Sequence, residues 1–181
     1  KLDYLDTGAL YRAVGLKLLR NGQDPADTTA AVTAARHVGE IALDDPALRD
    51  EKTGEAASVV AANEGVRDEL LQYQRNFAKR EKGAVLDGRD IGTIVCPDAD
   101  VKLFVTASAE IRARRRYDEL AAKGVDTSFE AVLEDLQARD ARDTGRDAAP
   151  LKKADDAHLL DTSKLDIEAA VNAACKIIDA A

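Results

Sequence analysis

Hydrophobic and polar positions divide the chain into short apolar runs separated by longer segments with helical spacing. The apolar runs at residues 2–5, 84–86, 101–105 and 158–161 predict four short strands. Between them, apolar side chains recur every three or four residues, which predicts helices. Strands separated by helices, with no region dense in hairpins, predict an α/β fold. We expect three layers, a parallel sheet with helices on both faces.

The stretch of residues 84–95 carries the first candidate chemistry. Residues 84–86 are apolar without a break, which is typical of a strand buried on both faces, and the run stops at Asp87, Gly88, Arg89 and Asp90. Ligands of open α/β sheets bind beyond the carboxyl ends of the strands, and Arg89 offers a planar fork suited to phosphate. The alternative is an Asp-Gly hairpin with residues 91–95 as its return strand. We favour the ligand site, because four polar or turn residues, not two, separate the apolar runs.

The first predicted strand leads directly into a helix. Leu10, Val14 and Leu18 recur at spacings of four, and Thr7 precedes them as a plausible N-cap whose hydroxyl could equally face a ligand. Arg12 lies one turn further on, where a solvated arginine is the ordinary interpretation. Residues 21–83 contain no convincing strand and predict a helical insertion between two strands of the sheet. Its polar candidates are Arg49, Ser58 and Arg67.

The segment 108–146 predicts two helices rich in arginine. Ser108 begins the first, and residues 127–130 have the capping-box spacing that begins the second. The first helix contains Arg112, Arg114, Arg115 and Arg116. They point in several directions, so at least one or two are available to an anionic ligand, and a solvated basic face is the alternative for each of them. Arg139, Asp143 and Arg146 share one face of the second helix, a spacing that intrahelical ion pairs also explain. The part between Arg112 and Arg146 is typical of a mobile flap over a phosphate site. Asp166 is the expected cap of a final helix.

Composition narrows the possible partners. The chain has 26 Lys and Arg against 34 Asp and Glu, a formal charge of −8, which argues against broad nucleic-acid binding. The two cysteines are far apart, which fits no metal or disulfide pattern and suggests a reducing, cytoplasmic location. No apolar stretch approaches the length of a membrane span, and no signal-peptide pattern is present. The chain contains no Met, so we expect further sequence ahead of Lys1.

Three segments resemble the bacterial cytidylate kinases: LDTGALYR at residues 5–12, DGRDIGT at 87–93 and RDARDTGRDAAPL at 139–151. The resemblance implies a P-loop nucleoside monophosphate kinase fold. Its core would be residues 1–20, 84–111 and 147–181, its helical monophosphate-binding insertion 21–83, and its lid 112–146. It also implies transfer of the γ-phosphoryl group of ATP, with Mg²⁺, to CMP or dCMP in pyrimidine nucleotide metabolism. The family expectation is a monomer.

The resemblance also assigns roles to residues. It places Arg12, Arg89 and Arg146 around the acceptor phosphate, a dianion whose transfer reaction develops further negative charge. Ser58, Arg67 and Asp90 would read the cytosine edge, since a carboxylate accepts a hydrogen bond from the exocyclic amine that uracil lacks. Arg139 and Asp143 would hold the sugar hydroxyls. Asp87 would position the acceptor and Thr7 would line the same site. Arg112, Arg115 and Arg116 would belong to the ATP-binding lid, whose closure excludes water.

The sequence departs from the family pattern in two places. The Gly-x-x-x-x-Gly-Lys-Ser/Thr phosphate-binding loop, where the protein ligands of Mg²⁺ would lie, does not occur within these residues, and we expect it ahead of Lys1. Residues 44–49 form a compact run where many family members have extra strands. Two alternatives therefore stay open: a CMP-binding fragment without catalysis, and a monophosphate kinase with another base preference.

Overall fold

The computed structural model describes residues 2–145 and 149–181, which form two compact units, Lys1–Cys96 and Pro97–Ala181. Each unit combines helices with one pair of parallel strands. The predicted α/β class with parallel strands is confirmed. The division into core, insertion and lid, which is a division by role, stays a prediction.

The first unit begins and ends with its strands. Strand β1 (Asp3–Asp6) runs directly into helix α1 (Thr7–Arg20). Helices α2 (Thr28–Arg36), α3 (Glu51–Val60) and α4 (Glu64–Ala78) follow, with 3₁₀ turns at Val38–Glu40 and Pro46–Arg49. Strand β2 (Ala84–Asp87) precedes a π-helical turn at Ile91–Val95, which we call the π turn. All of residues 21–83 are described and none lies in a strand, so the prediction of a helical segment there is confirmed.

Parallel pairing brings the polar ends of the two strands together. In the register of β1 and β2, Leu5 lies opposite Leu86 and Asp6 opposite Asp87. The hairpin alternative is therefore wrong, because β2 pairs with a strand about 80 residues earlier and residues 91–95 are helical. Both strands end at the same edge of the sheet, which is where ligands of α/β proteins bind.

The strands are covered on one face only within the described part of the first unit. Leu5 and Leu86 pack with the buried core, which includes Leu10 and Leu70. On the opposite face Tyr4 is 63% exposed and Val85 47% exposed. The prediction that residues 84–86 are buried on both faces is thus wrong for Val85, because the helices of this unit pack against the Leu86 face.

The helices of the first unit are held by a core of aliphatic side chains. Leu10, Val14 and Leu18 of α1 are fully buried, as the spacing of four predicts. Gly15 lies where α1 crosses α3, and a Cβ there would come within 3.0 Å of both the Ala56 side chain and the Ala57 backbone nitrogen. Glycine is therefore what allows the two helix backbones to approach so closely.

The second unit contains the remaining strands and helices. They are β3 (Leu103–Thr106), α5 (Ala109–Ala122), α6 (Phe129–Gly145), β4 (His158–Asp161) and α7 (Ile167–Asp179). Ser108 and Asp166 cap α5 and α7, as predicted. The capping-box prediction is one residue out, because Ser128, not Thr127, accepts the Ala131 N–H at 3.1 Å. Among the described helices, none has the length and apolarity needed to cross a membrane.

Candidate functional site

The carboxyl ends of β1 and β2 are joined by a buried hydrogen bond. Thr7 is 3% exposed, and its hydroxyl donates to the Asp87 carbonyl at 2.7 Å. The prediction that Thr7 caps α1 is wrong, since the Asp6 carboxylate accepts the Ala9 N–H at 3.2 Å and Thr7 is the first helical residue. Asp6 takes the cap because its extended backbone ends the strand, which leaves the Thr7 hydroxyl to bridge the strand ends.

Gly88 is required by this close approach. A Cβ at residue 88 would lie 2.3 Å from Thr7 Oγ1 and 2.8 Å from Ile91 Cδ1, both far inside normal contact. The requirement for glycine at residue 88 comes from lack of space, not from an unusual backbone angle. Only glycine leaves room for the buried threonine beneath the turn.

Asp87 and Arg89 lie on the exposed side of this edge. The Tyr4 hydroxyl donates to Asp87 Oδ2 at 3.4 Å. Partial burial raises the pKa of Tyr4, and the carboxylates of Asp87 and Asp6 raise it further, because both disfavour a tyrosinate beside them. Tyr4 therefore remains a hydrogen-bond donor to Asp87 at neutral pH.

Asp90 forms a buried ion pair with Arg67 of α4. Arg67 NH2 donates to Asp90 Oδ2 at 2.5 Å, and the two residues are 9% and 7% exposed. Arg67 also donates to the Ala61 carbonyl at 3.4 Å, and its guanidinium carbon lies 5.7 Å from the centre of the Tyr11 ring. The resemblance assigned Arg67 and Asp90 to the same base, and the structure places the two side chains in direct contact, while their role toward a base stays a prediction.

Arg12 and Ser58 occupy the same helical layer. Arg12 is half-buried on α1, and its NH1 donates to the Leu48 carbonyl at 3.1 Å. It is therefore not a solvated arginine. A Cβ at Gly54 of α3 would lie 4.0 Å from Arg12 NH1, which places the guanidinium beside that helix. The half-buried Ser58 hydroxyl of α3 has no hydrogen-bond partner among residues 2–145 and 149–181.

The predicted lid arginines of α5 each have a protein partner. Arg112 forms a bidentate pair with Asp140 of α6, with distances of 3.0 and 2.6 Å, and these hydrogen bonds raise the pKa of Arg112. Arg115 donates to the carbonyl of Thr162 at 2.7 Å. Arg116 bonds Glu119 within the helix at 2.9 Å. Their contact with ATP stays a prediction.

The predicted sugar-binding residues lie in the second unit. Arg139 and Asp143 are one turn apart on α6 and partly buried, as their spacing predicts. Arg146 lies outside the described residues. The first unit thus brings together Thr7 with Asp87 and Arg67 with Asp90, and the roles of the predicted residues in both units stay predictions.

One residue at this site had no signal in the sequence analysis. Arg75 of α4 donates from Nε to the Val95 carbonyl at 3.3 Å and from NH2 to the Ile94 carbonyl at 3.0 Å. Its acceptors are backbone carbonyls, which every residue carries, so no side-chain pattern marks them. Its spacing of eight residues from Arg67 places it about two turns further along α4 but marks no function by itself.

Across the described ranges, no three His, Cys, Asp or Glu side chains are grouped as ligands for a metal ion.

Comparison with known proteins agrees with the resemblance. The family model described as "Cytidylate kinase" matches residues 1–180. The chain is 55% identical to the cytidylate kinase of Methylocella silvestris, over 99% of this chain and 83% of that protein. It is 57% identical to those of Xanthobacter autotrophicus and Azorhizobium caulinodans, over 99% of this chain and 86% and 87% of theirs. The chain belongs to the cytidylate kinase family, a family of P-loop nucleoside monophosphate kinases.

Proposed function

We propose that this protein transfers the γ-phosphoryl group of ATP to CMP or dCMP, giving ADP and CDP or dCDP. Family membership supports the reaction class. The observation that carries the base preference is the buried pair of Arg67 and Asp90, which presents a fixed carboxylate beside the strand ends.

The Asp90 carboxylate has one oxygen available for a base. Oδ2 accepts from Arg67, whereas Oδ1 has no partner among the described residues. A carboxylate aligned by an ion pair, on a residue that is 7% exposed, can accept a hydrogen bond from the exocyclic amine of cytosine through this second oxygen. Uracil presents a carbonyl at that position, which a buried carboxylate repels. Sites built to bond a substrate amine reject analogues that lack it.

Ser58 would contribute a second contact with the base. Its half-buried hydroxyl is without a partner in the described ranges, and hydroxyls can donate or accept. We assign it, with Arg67 and Asp90, to reading the cytosine edge.

Arg12 and Arg89 would hold the acceptor phosphate. Both guanidinium groups match the planar geometry of a phosphate, and the acceptor is a dianion before transfer begins. Arg12 is preorganised by its bond to Leu48, so less order has to be imposed when the substrate binds. We propose that Asp87 positions the acceptor and that Thr7 fixes the backbone of Asp87 beneath it. Arg146 is the third predicted phosphate ligand.

The donor would enter as the Mg·ATP complex. When bound, the divalent cation would neutralise part of the negative charge that develops on the phosphates during transfer, and its protein ligands are expected in the phosphate-binding loop. The residues of α5 and α6 would then close over the phosphates, with Arg112, Arg115 and Arg116 as the predicted contacts and Arg139 and Asp143 on the sugar. We also propose a cytoplasmic monomer.

The test is ADP formation by the full-length protein with CMP, dCMP, UMP and AMP as acceptors. We expect CMP and dCMP to be phosphorylated in preference to UMP and AMP, and preference for UMP or AMP would overturn the proposal. The Asp90→Asn variant should lower the ratio of CMP to UMP activity. The matched control is Asp68→Asn, a carboxylate exposed on α4, which should leave that ratio unchanged.

A non-catalytic protein would give a different result. It would bind CMP without forming ADP in the presence of Mg·ATP. Calorimetric titration of CMP beside the kinetic assay distinguishes that outcome from loss of the binding site.

A further inference from the structure

The π turn after Asp90 is an unusual way to end a substrate-binding loop. The Asp90 carbonyl accepts from the amides of Ile94 at 2.9 Å and Val95 at 3.2 Å, and the Ile91 carbonyl accepts from Cys96 at 2.7 Å. Isolated π turns are rare and occur frequently at functional sites. A single turn makes few internal bonds, so its position must be held by the residues around it.

Arg75 holds the far end of this turn. Its Nε and NH2 donate to the carbonyls of Val95 and Ile94, groups that face no further turn of helix. One rigid guanidinium therefore bonds two successive carbonyls, which fixes the orientation of the turn as well as its distance from α4.

The same helix holds the near end. Arg67 bonds the Asp90 carboxylate, and Arg75 lies eight residues later, about 12 Å further along the axis of α4. The segment between Asp90 and Val95 is thus attached to one straight helix at both ends.

We propose that Arg75 is a positioning residue for base selection, acting through the π turn to hold Asp90 where it meets the base. This inference rests on the proposed function. Asp90 is fixed through its side chain by Arg67 and through its backbone by the π turn, because the Asp90 carbonyl is itself part of that turn. Loss of Arg75 leaves the ion pair intact but frees the backbone that carries the carboxylate.

The test compares the full-length wild type with Arg75→Ala, Arg75→Lys and Arg36→Ala. Arg36 is the matched control because its Nε bonds Glu69 of α4 at 2.8 Å. Glu69 is two residues from Arg67 and so points to nearly the opposite side of the helix. The measurements are kcat and KM for CMP and UMP, KM for ATP, the Kd of CMP by calorimetry, and the melting temperature.

We expect Arg75→Ala to raise KM and Kd for CMP about tenfold, the scale of a small misplacement of a binding group. The ratio of kcat/KM for CMP to that for UMP should fall by a similar factor, with KM for ATP unchanged. Arg75→Lys, which can donate to one carbonyl at a time, should give a smaller change in the same direction, and it carries the test if the alanine variant does not fold. Arg36→Ala should keep the wild-type ratio.

Two results would overturn the inference. If Arg75→Ala lowers the melting temperature but keeps the wild-type Kd and CMP to UMP ratio, Arg75 only stabilises the fold. If the wild type itself neither binds nor phosphorylates CMP, the proposed function fails first and the inference fails with it. The wild-type control therefore separates the two failures.

Discussion

Replacing Arg67 by Met should be among the most destabilising single changes in the first unit. The substitution removes the partner of Asp90, whose side chain stays buried, and keeps most of the aliphatic volume of the arginine. A carboxylate left uncompensated in this environment costs about 3–5 kcal/mol. The lost bond to the Ala61 carbonyl, long at 3.4 Å, adds about 0.5 kcal/mol.

The double variant Arg67→Met with Asp90→Asn isolates the charge. It loses the same bond to Ala61 but leaves no buried ion, so the residual cost should be about 1–2 kcal/mol. The double variant should therefore be more stable than Arg67→Met alone by about 2 kcal/mol. The melting temperature of Arg67→Met should fall by on the order of 10 °C, since one kcal/mol shifts a domain of this size by a few degrees.

Urea unfolding followed by circular dichroism measures these differences, with Asp90→Asn completing the cycle. Arg36→Ala is the control, because it removes an exposed ion pair that should contribute less than about 1 kcal/mol. Additive losses in the double variant would refute the reasoning, since they would mean that Arg67 and Asp90 stabilise the fold independently.

Three further predictions concern single positions. Gly88→Ala places a methyl group 2.3 Å from Thr7 Oγ1 and should cost about 2 kcal/mol in urea unfolding. Thr7→Ala in the same chain should recover part of that loss, and strictly additive losses would contradict the steric cause. Burial raises the pKa of Cys96, so at pH 8 its thiol should react with iodoacetamide more slowly than a free thiol, and the reaction should become faster as the pH rises. Peptide mass spectrometry can follow this reaction, and equal rates for Cys96 and a free thiol would contradict the prediction. Hydrogen bonds from the side chain and backbone of Ser163 lower the pKa of Asp161, so its contribution to stability is present above the unfolded pKa and is lost as pH falls through the folded one. Asp161→Asn should therefore be less stable than wild type at pH 7, and the difference should disappear as pH falls through the folded pKa of Asp161; a difference that persists in acid would exclude this origin.

The elements of the fold were largely predictable because their signals are local. The four strands appear within one or two residues of the apolar runs, and Asp166 and Ser108 cap the helices that they precede. The predicted start of a helix was one residue out where two neighbouring polar residues could each cap it. Asp6, not Thr7, caps α1, and Ser128, not Thr127, caps α6. A sequence states which residues can cap but not which backbone is already extended.

The family resemblance assigned Asp90 and Arg67 to the same base, and the structure joins the two side chains in an ion pair that was not foreseen. Arg12 was assigned to phosphate, but its bond to the Leu48 carbonyl was not foreseeable, because a backbone acceptor leaves no trace in the sequence. The same reason hid Arg75. Side chains that donate hydrogen bonds to backbone carbonyls are the part of a site that composition and spacing do not reveal.

The near-contact of α1 and α3 at Gly15 has a consequence for motion. A helical insertion is usually pictured as a part that swings against the strands, yet here its helix α3 meets α1 backbone to backbone, with Ala56 and Ala57 against the glycine. Because no large side chains separate the two backbones, there is no layer of side chains across which α3 could slide relative to α1. Arg12 of α1 and Ser58 of α3 are consequently carried by two helices in direct backbone contact, so the distance between these two proposed substrate contacts should change little when a ligand binds.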